Sequence, residues 1–196
     1  MLKPTREALT RAVEIVCVSV ASGGKVLVCG NGGSAADAEH IVGELMKSFV
    51  LPRKLSDEDT ARLQAFEGMA EKLQRGIPAV SLNGHPSLAS AIANDTDPAM
   101  IYSQQVYVLG REGDVVIGLS TSGNARNVRN ALSVARAFGM KTVGFTGSRP
   151  SPMDELCDCI IKVPETETFK VQELHLPVYH ALCLAVEEEL FGVGGL

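Results

Sequence analysis

Five short apolar runs set the strongest limit on the fold: Lys25 to Cys29, Ile77 to Leu82, Asp114 to Leu119, Lys141 to Phe145 and Cys159 to Val163. Most are β-branched and nearly continuous in their apolar character, the pattern of strands buried on both faces. The stretches between them read as helices. Parallel strands need crossovers, and right-handed ones dominate, so alternation of this kind predicts an α/β class. The expected architecture is a three-layer αβα sandwich around a five-stranded parallel sheet. Ligands of such sheets bind beyond the carboxyl ends of the strands.

The helices follow from caps and breakers. Thr5 starts one that runs to about Ser22, and Gly23-Gly24 ends it. A second spans Ser34 to about Phe49, before Pro52. Ser56 to Asp59 reads as the acidic start of a covering helix to Arg75, with Leu63, Phe66, Ala70 and Leu73 as its apolar stripe. Further helices are expected at Pro86 to Ala93, Asp97 to Leu109, after Asn124 to Phe138, and Glu167 to Leu190. Residues 1–196 form one domain on this reading, with a helical insertion at about 51–76.

Charge and cysteine usage narrow the setting. The net charge is −5 and the basic residues are scattered, which argues against nucleic acid as a partner. The five cysteines follow no Cys-x-x-Cys spacing, so a reduced, cytoplasmic protein without a cysteine-based metal site is expected. Glu14 interrupts the apolar run Ala12 to Ala21, contrary to a signal peptide, and no stretch approaches the roughly 18 apolar residues of a membrane span.

Two polar loops follow strands. Gly30-Asn31-Gly32-Gly33-Ser34 ends the first strand and opens a helix, where backbone N–H groups are free to meet an anion. It is no dinucleotide fingerprint, because position 35 is Ala, and no phosphate-binding Gly-Lys-Ser/Thr follows. Ser120-Thr121-Ser122-Gly123-Asn124 repeats the device with three hydroxyls. A helix cap at Ser122 or Asn124 needs one such group, whereas three together favour phosphate. His40 and Glu44 share one helix face, a spacing that is also common in solvated pairs. The last helix carries Gln172, Glu173, His175 and His180, and Pro177 between them is expected to kink it. On a straight helix Gln172 and His180 are about 12 Å apart along the axis, too far for one ion.

Together, Cys29-Gly30-Asn31-Gly32-Gly33-Ser34, His40-x-x-x-Glu44, Ala93-Asn94-Asp95, Gly110-Arg111-Glu112-Gly113-Asp114, Ser120-Thr121-Ser122-Gly123-Asn124 and Gln172-Glu173-x-His175-x-x-x-x-His180 resemble the phosphoheptose (sedoheptulose 7-phosphate) isomerase family of SIS-domain proteins. The match runs in order along nearly the whole chain. The resemblance implies a flavodoxin-like SIS domain and a homotetramer with active sites between subunits. It implies interconversion of a ketose phosphate and an aldose phosphate through an enediol. It also implies a zinc ion on His40, Glu44, Gln172 and His180, with Glu44 as the proton-moving base and His180 as the acid. Ser120, Thr121 and Ser122 would hold the phosphate, with Asn124 beside them. Asn31, Gly32, Ser34, Asn94, Asp95 and Gln172 would line the sugar. Three positions depart from the family pattern: Ala125 replaces a Ser, Phe169-Lys170 stands where an Asp-Arg pair is common, and Ser48 takes the place of an Arg. A non-catalytic SIS protein that senses a sugar phosphate or assembles with a partner is the competing expectation, motivated by those changes.

Overall fold

The computed structural model describes residues 3–192. In chain order the elements are α1 (Lys3–Ala21), β1 (Val26–Gly30), α2 (Gly33–Met46), α3 (Asp57–Arg62), β2 (Ala79–Ser81), α4 (Pro86–Asp95), a 3-10 turn (Pro98–Met100), α5 (Ile101–Leu109), β3 (Val115–Leu119), α6 (Arg126–Ala137), β4 (Lys141–Thr146), α7 (Met153–Leu156), β5 (Cys159–Lys162) and α8 (Thr168–Phe191). The strands form one parallel sheet in the order β2-β1-β3-β4-β5, the expected α/β sandwich.

Alternation along each strand feeds two cores. Val26 and Val28 of β1, Val115 and Ile117 of β3, and Val143 and Phe145 of β4 face a core shared with α1, α2 and α8. Leu27, Cys29 and Val116 point the other way, into a second core with Tyr102 and Val106 of α5 and Val128, Leu132 and Ala135 of α6. Both β1 and β3 are buried along their full length, which explains their unbroken apolar sequence. At the amino end of the sheet, the Asp114 carboxylate accepts from the Lys25 and Arg111 amides, so the Gly110 to Asp114 motif is a turn remote from the carboxyl ends of the strands.

One expectation needs correction. The covering helix over 56–75 is only the six residues of α3, followed by turns. Gly68 takes φ +69°, and of the expected stripe Phe66 and Leu73 are exposed while Leu63 and Ala70 are half-buried. A helix that short gains little without tertiary contacts. A four-residue helix, α7, precedes β5. All five cysteines are free, and among the described residues no helix is long and apolar enough to cross a membrane.

Candidate active site

The chain leaves β1 for β2 on one side and returns to β3 on the other, so the crossovers diverge between β1 and β3. That divergence opens a crevice at the carboxyl ends of the strands. Gly30 and Leu119 are paired in register, which places the Gly30–Ser34 and Ser120–Asn124 loops side by side. Side chains join them. Asn31 Nδ2 donates to Asn127 Oδ1 at 2.8 Å, and Asn127 Nδ2 donates back to Asn31 Oδ1 at 2.9 Å. The Tyr102 hydroxyl and Asn83 Nδ2 both donate to the Gly30 carbonyl, which fixes the loop from below. Ser34 is buried at the start of α2, behind Asn31, with Gly32 as the helix cap.

The hydroxyl loop is a tight turn. Gly123 N donates to the Ser120 carbonyl at 2.9 Å, with Gly123 at φ +66°, a backbone region that a side chain disfavours. Ser120 is buried, and Ser122 Oγ accepts from the Asn124 amide at 3.2 Å. Asn124 Nδ2 donates to the Ser122 carbonyl, so that side chain stabilises the turn. Thr121 and Ser122 line a cavity of about 100 Å³, whose other wall holds Arg149 and Glu165. Arg149 adds a cationic residue to the lining of the same cavity. Sequence reasoning missed it because it lies in an irregular loop after β4.

His40, Glu44 and His180 come together, although 136 residues separate Glu44 from His180 in the chain. His40 Nε2 is 3.3 Å from Glu44 Oε1, and the His40 and His180 rings meet edge to face at 5.1 Å between centroids. Phe49 packs on His180 at 5.6 Å. The other side of His40 is held: Nδ1 is 2.9 Å from the Tyr179 hydroxyl, which donates to Asp37 Oδ1 at 3.3 Å. Burial raises the Asp37 carboxyl above its ordinary range, partly offset by Tyr179 and His40. Burial, then the Asp37 charge, pushes the Tyr179 hydroxyl up as well, so it stays a phenol. Sequence reasoning overlooked both residues.

Other candidates lie apart. The Gln172 amide packs on Gly33, where an added Cβ would stand 2.5 Å from Nε2. Gly33 is seven residues before His40 on α2, about 10 Å along the axis. α8 continues helically through Pro177, so Gln172 and His180 lie against opposite ends of α2. Asn94 and Asp95 bond to each other at 2.8 Å and are exposed on an open surface of α4.

The donor types suit a divalent cation. His180 Nε2 is a buried atom without a hydrogen-bond partner, and Glu44 Oε2, also without a hydrogen bond, has the Lys47 ammonium 3.6 Å away; an imidazole and a carboxylate are both ligand types for such an ion. Among the described residues no group of three or more His, Cys, Asp or Glu side chains is already gathered closely enough to hold an ion.

A doubly wound parallel sheet with a hydroxyl-rich turn at its switch point is the frame of a SIS domain, and SIS-domain family models match residues 1–75 and 87–185. Relatives narrow the class. The phosphoheptose isomerase of Burkholderia pseudomallei (strain K96243) is 44% identical over 186 residues, covering 94% of this chain and 84% of that protein. The phosphoheptose isomerase of Aliarcobacter butzleri is 37% identical, covering 97% and 89%. The solved phosphoheptose isomerase of Neisseria gonorrhoeae aligns with a TM-score of 0.76 at 32% identity, covering 93% of this chain and 86% of that one. That of Francisella tularensis gives 0.78 at 27% identity, with the same coverage. The chain belongs to the phosphoheptose isomerase family.

Proposed function

We propose that the protein interconverts sedoheptulose 7-phosphate and a heptose 7-phosphate, a ketose–aldose isomerisation, at the crevice between β1 and β3. The observation that carries this reading is the meeting of His40 with Glu44 and with the His180 ring, in a fold that also holds a hydroxyl-lined cavity at Thr121 and Ser122. Moving a proton between adjacent carbons needs a carboxylate, and moving one at the neighbouring oxygen needs a second group near neutrality. Glu44 takes the carbon-bound proton and returns it one carbon along. His180 gives and takes the oxygen proton. Thr121, Ser122 and Arg149 hold the phosphate, and Asn31, kept in place by Asn127, orients the sugar.

His40, Glu44 and His180 would hold a zinc ion, which when bound polarises the sugar carbonyl as a Lewis acid, while Gln172, packed on Gly33, lines the sugar. Glu44 Oε1 faces His40 while Oε2 faces Lys47 at 3.6 Å without a hydrogen bond, so the two oxygens of one carboxylate have different neighbours for ligation and for proton transfer. The exposed positions of Asn94 and Asp95 favour a site completed by a neighbouring subunit, in a cytoplasmic homotetramer. Purified protein is expected to turn over sedoheptulose 7-phosphate, to lose that activity on chelation and to regain it with zinc. Glu44→Gln is expected to bind the sugar without turnover. Absence of turnover on any ketose phosphate, with or without zinc, overturns the reading.

A further inference from the structure

His40 has two ring nitrogens with different neighbours, and which of them carries the proton decides what the other can do. Nε2 points at Glu44 Oε1, 3.3 Å away, with the His180 ring beside it. Nδ1 meets the Tyr179 hydroxyl at 2.9 Å. Tyr179 is 1% exposed, so its hydroxyl is satisfied from within the protein, and its other neighbour is Asp37 Oδ1 at 3.3 Å.

A phenol has one proton to give. A carboxylate cannot donate, so the Tyr179 proton goes to Asp37, and the phenolic oxygen is left to accept from Nδ1–H. A neutral His40 then carries a lone pair on Nε2. That lone pair faces the Glu44 carboxylate, an arrangement of two electron-rich groups that favours a cation between them. A Phe at position 179 would fill the same space, but would leave Nδ1 without a buried acceptor.

We propose that Tyr179, oriented by Asp37, is a positioning residue that fixes His40 in its Nδ1–H form and so presents Nε2 to a divalent cation shared with Glu44 and His180. The part concerning the cation rests on the zinc reading above; the part concerning the tautomer does not. Outer partners of this kind set ligand orientation and basicity, and removing one typically weakens metal affinity about 10–100-fold.

The test is ¹⁵N NMR of histidine-labelled, chelator-treated protein at mildly alkaline pH, paired with zinc affinity measured by competition against a chromophoric chelator. In the native chain His40 is expected to show a protonated Nδ1 and an unprotonated Nε2. In Tyr179→Phe the ring is expected to move to the Nε2–H form that an unconstrained imidazole prefers, and zinc affinity to fall about 10–100-fold. Asp37→Asn gives a second handle: its amide can donate to the phenolic oxygen, turn the phenol proton toward Nδ1 and drive the same inversion. Thermal unfolding of each variant confirms a folded chain. An Nε2–H form in the native protein, or an unchanged tautomer in both variants, overturns the inference. If the tautomer behaves as described while the native chain itself takes up no zinc, the positioning role stands and the zinc reading fails.

Discussion

Arg53 and Glu187 meet at 2.8 Å inside the protein, with side chains 0% and 1% exposed. Glu187 also accepts from the amides of Phe49, Val50 and Leu51, and Arg53 donates to the carbonyls of Leu45 and Glu44. The pair therefore ties the loop after α2 to α8 and holds Phe49 against His180. Glu187→Gln leaves a buried guanidinium uncompensated, a loss of about 3–5 kcal/mol. For a domain of this size that lowers the melting temperature by roughly 10 °C. Burial alone would raise the Glu187 carboxyl, but the three amides and Arg53 bring it below its ordinary value of 4.5. A lowered carboxyl stabilises the fold above that value, and the contribution is lost as pH falls through the folded one. Thermal unfolding followed against pH should show a steep acid limb below about 4.5 in the native chain, flattened in Glu187→Gln.

His175 predicts a different pH window. It is fully buried, edge-on to Phe145 at 5.7 Å, and burial pushes it from 6.5 down to about 4. Between those values the unfolded chain binds a proton that the folded chain refuses, so stability is complete above 6.5 and falls as pH drops toward 4. At 1.36 kcal/mol per unit the loss is on the order of 3 kcal/mol. His175→Leu should remove that slope. An identical slope in the variant would show that another group titrates there.

The sheet was legible because its central strands β1 and β3 are buried on both faces and must be apolar throughout, and the two loops because glycines and hydroxyls are unusual at strand ends. The segment from Ser56 to Arg75 misled for the converse reason: Leu63, Phe66 and Leu73 have helical spacing, but periodicity reports a face that could be buried, and here Phe66 and Leu73 are left exposed. His40, Glu44 and His180 became a group through the family resemblance rather than through spacing. Tyr179 and Asp37 stayed hidden because a hydrogen bond across 142 residues leaves no local pattern. Pro177 invited a kink to draw Gln172 toward His180, yet packing of α8 along α2 keeps both ends of the helix in place.

Gly33 carries a prediction that separates stability from activity. An added Cβ would stand 2.5 Å from Gln172 Nε2 and 2.8 Å from Cδ, the far end of a flexible side chain. Gly33→Ala is therefore expected to displace the Gln172 amide at little cost to folding, and Ala is the better helix former. The melting temperature should change by less than about 2 °C, consistent with surface substitutions within ±0.5 kcal/mol. Turnover should fall by at least about tenfold, the usual minimum for losing a hydrogen bond to a charged group. Unchanged turnover would remove Gln172 from the site.

Arg149 and Glu165 line the same cavity beside Thr121 and Ser122 with opposite charges, so their substitutions should have opposite signs. Arg149→Ala removes the cation facing a phosphate, an interaction worth about 1.5 kcal/mol at its weaker end, or roughly tenfold in binding. KM for the sugar phosphate and the inhibition constant of inorganic phosphate should rise together, with kcat little changed, because the phosphate is held equally in ground and transition states. Glu165→Gln removes the repelling carboxylate and should lower both constants, more at low ionic strength than at high. If Arg149→Ala changes kcat while phosphate inhibition stays constant, the cavity is not where the phosphate sits, and the hydroxyls of the Ser120 loop would have to be read as a helix cap alone.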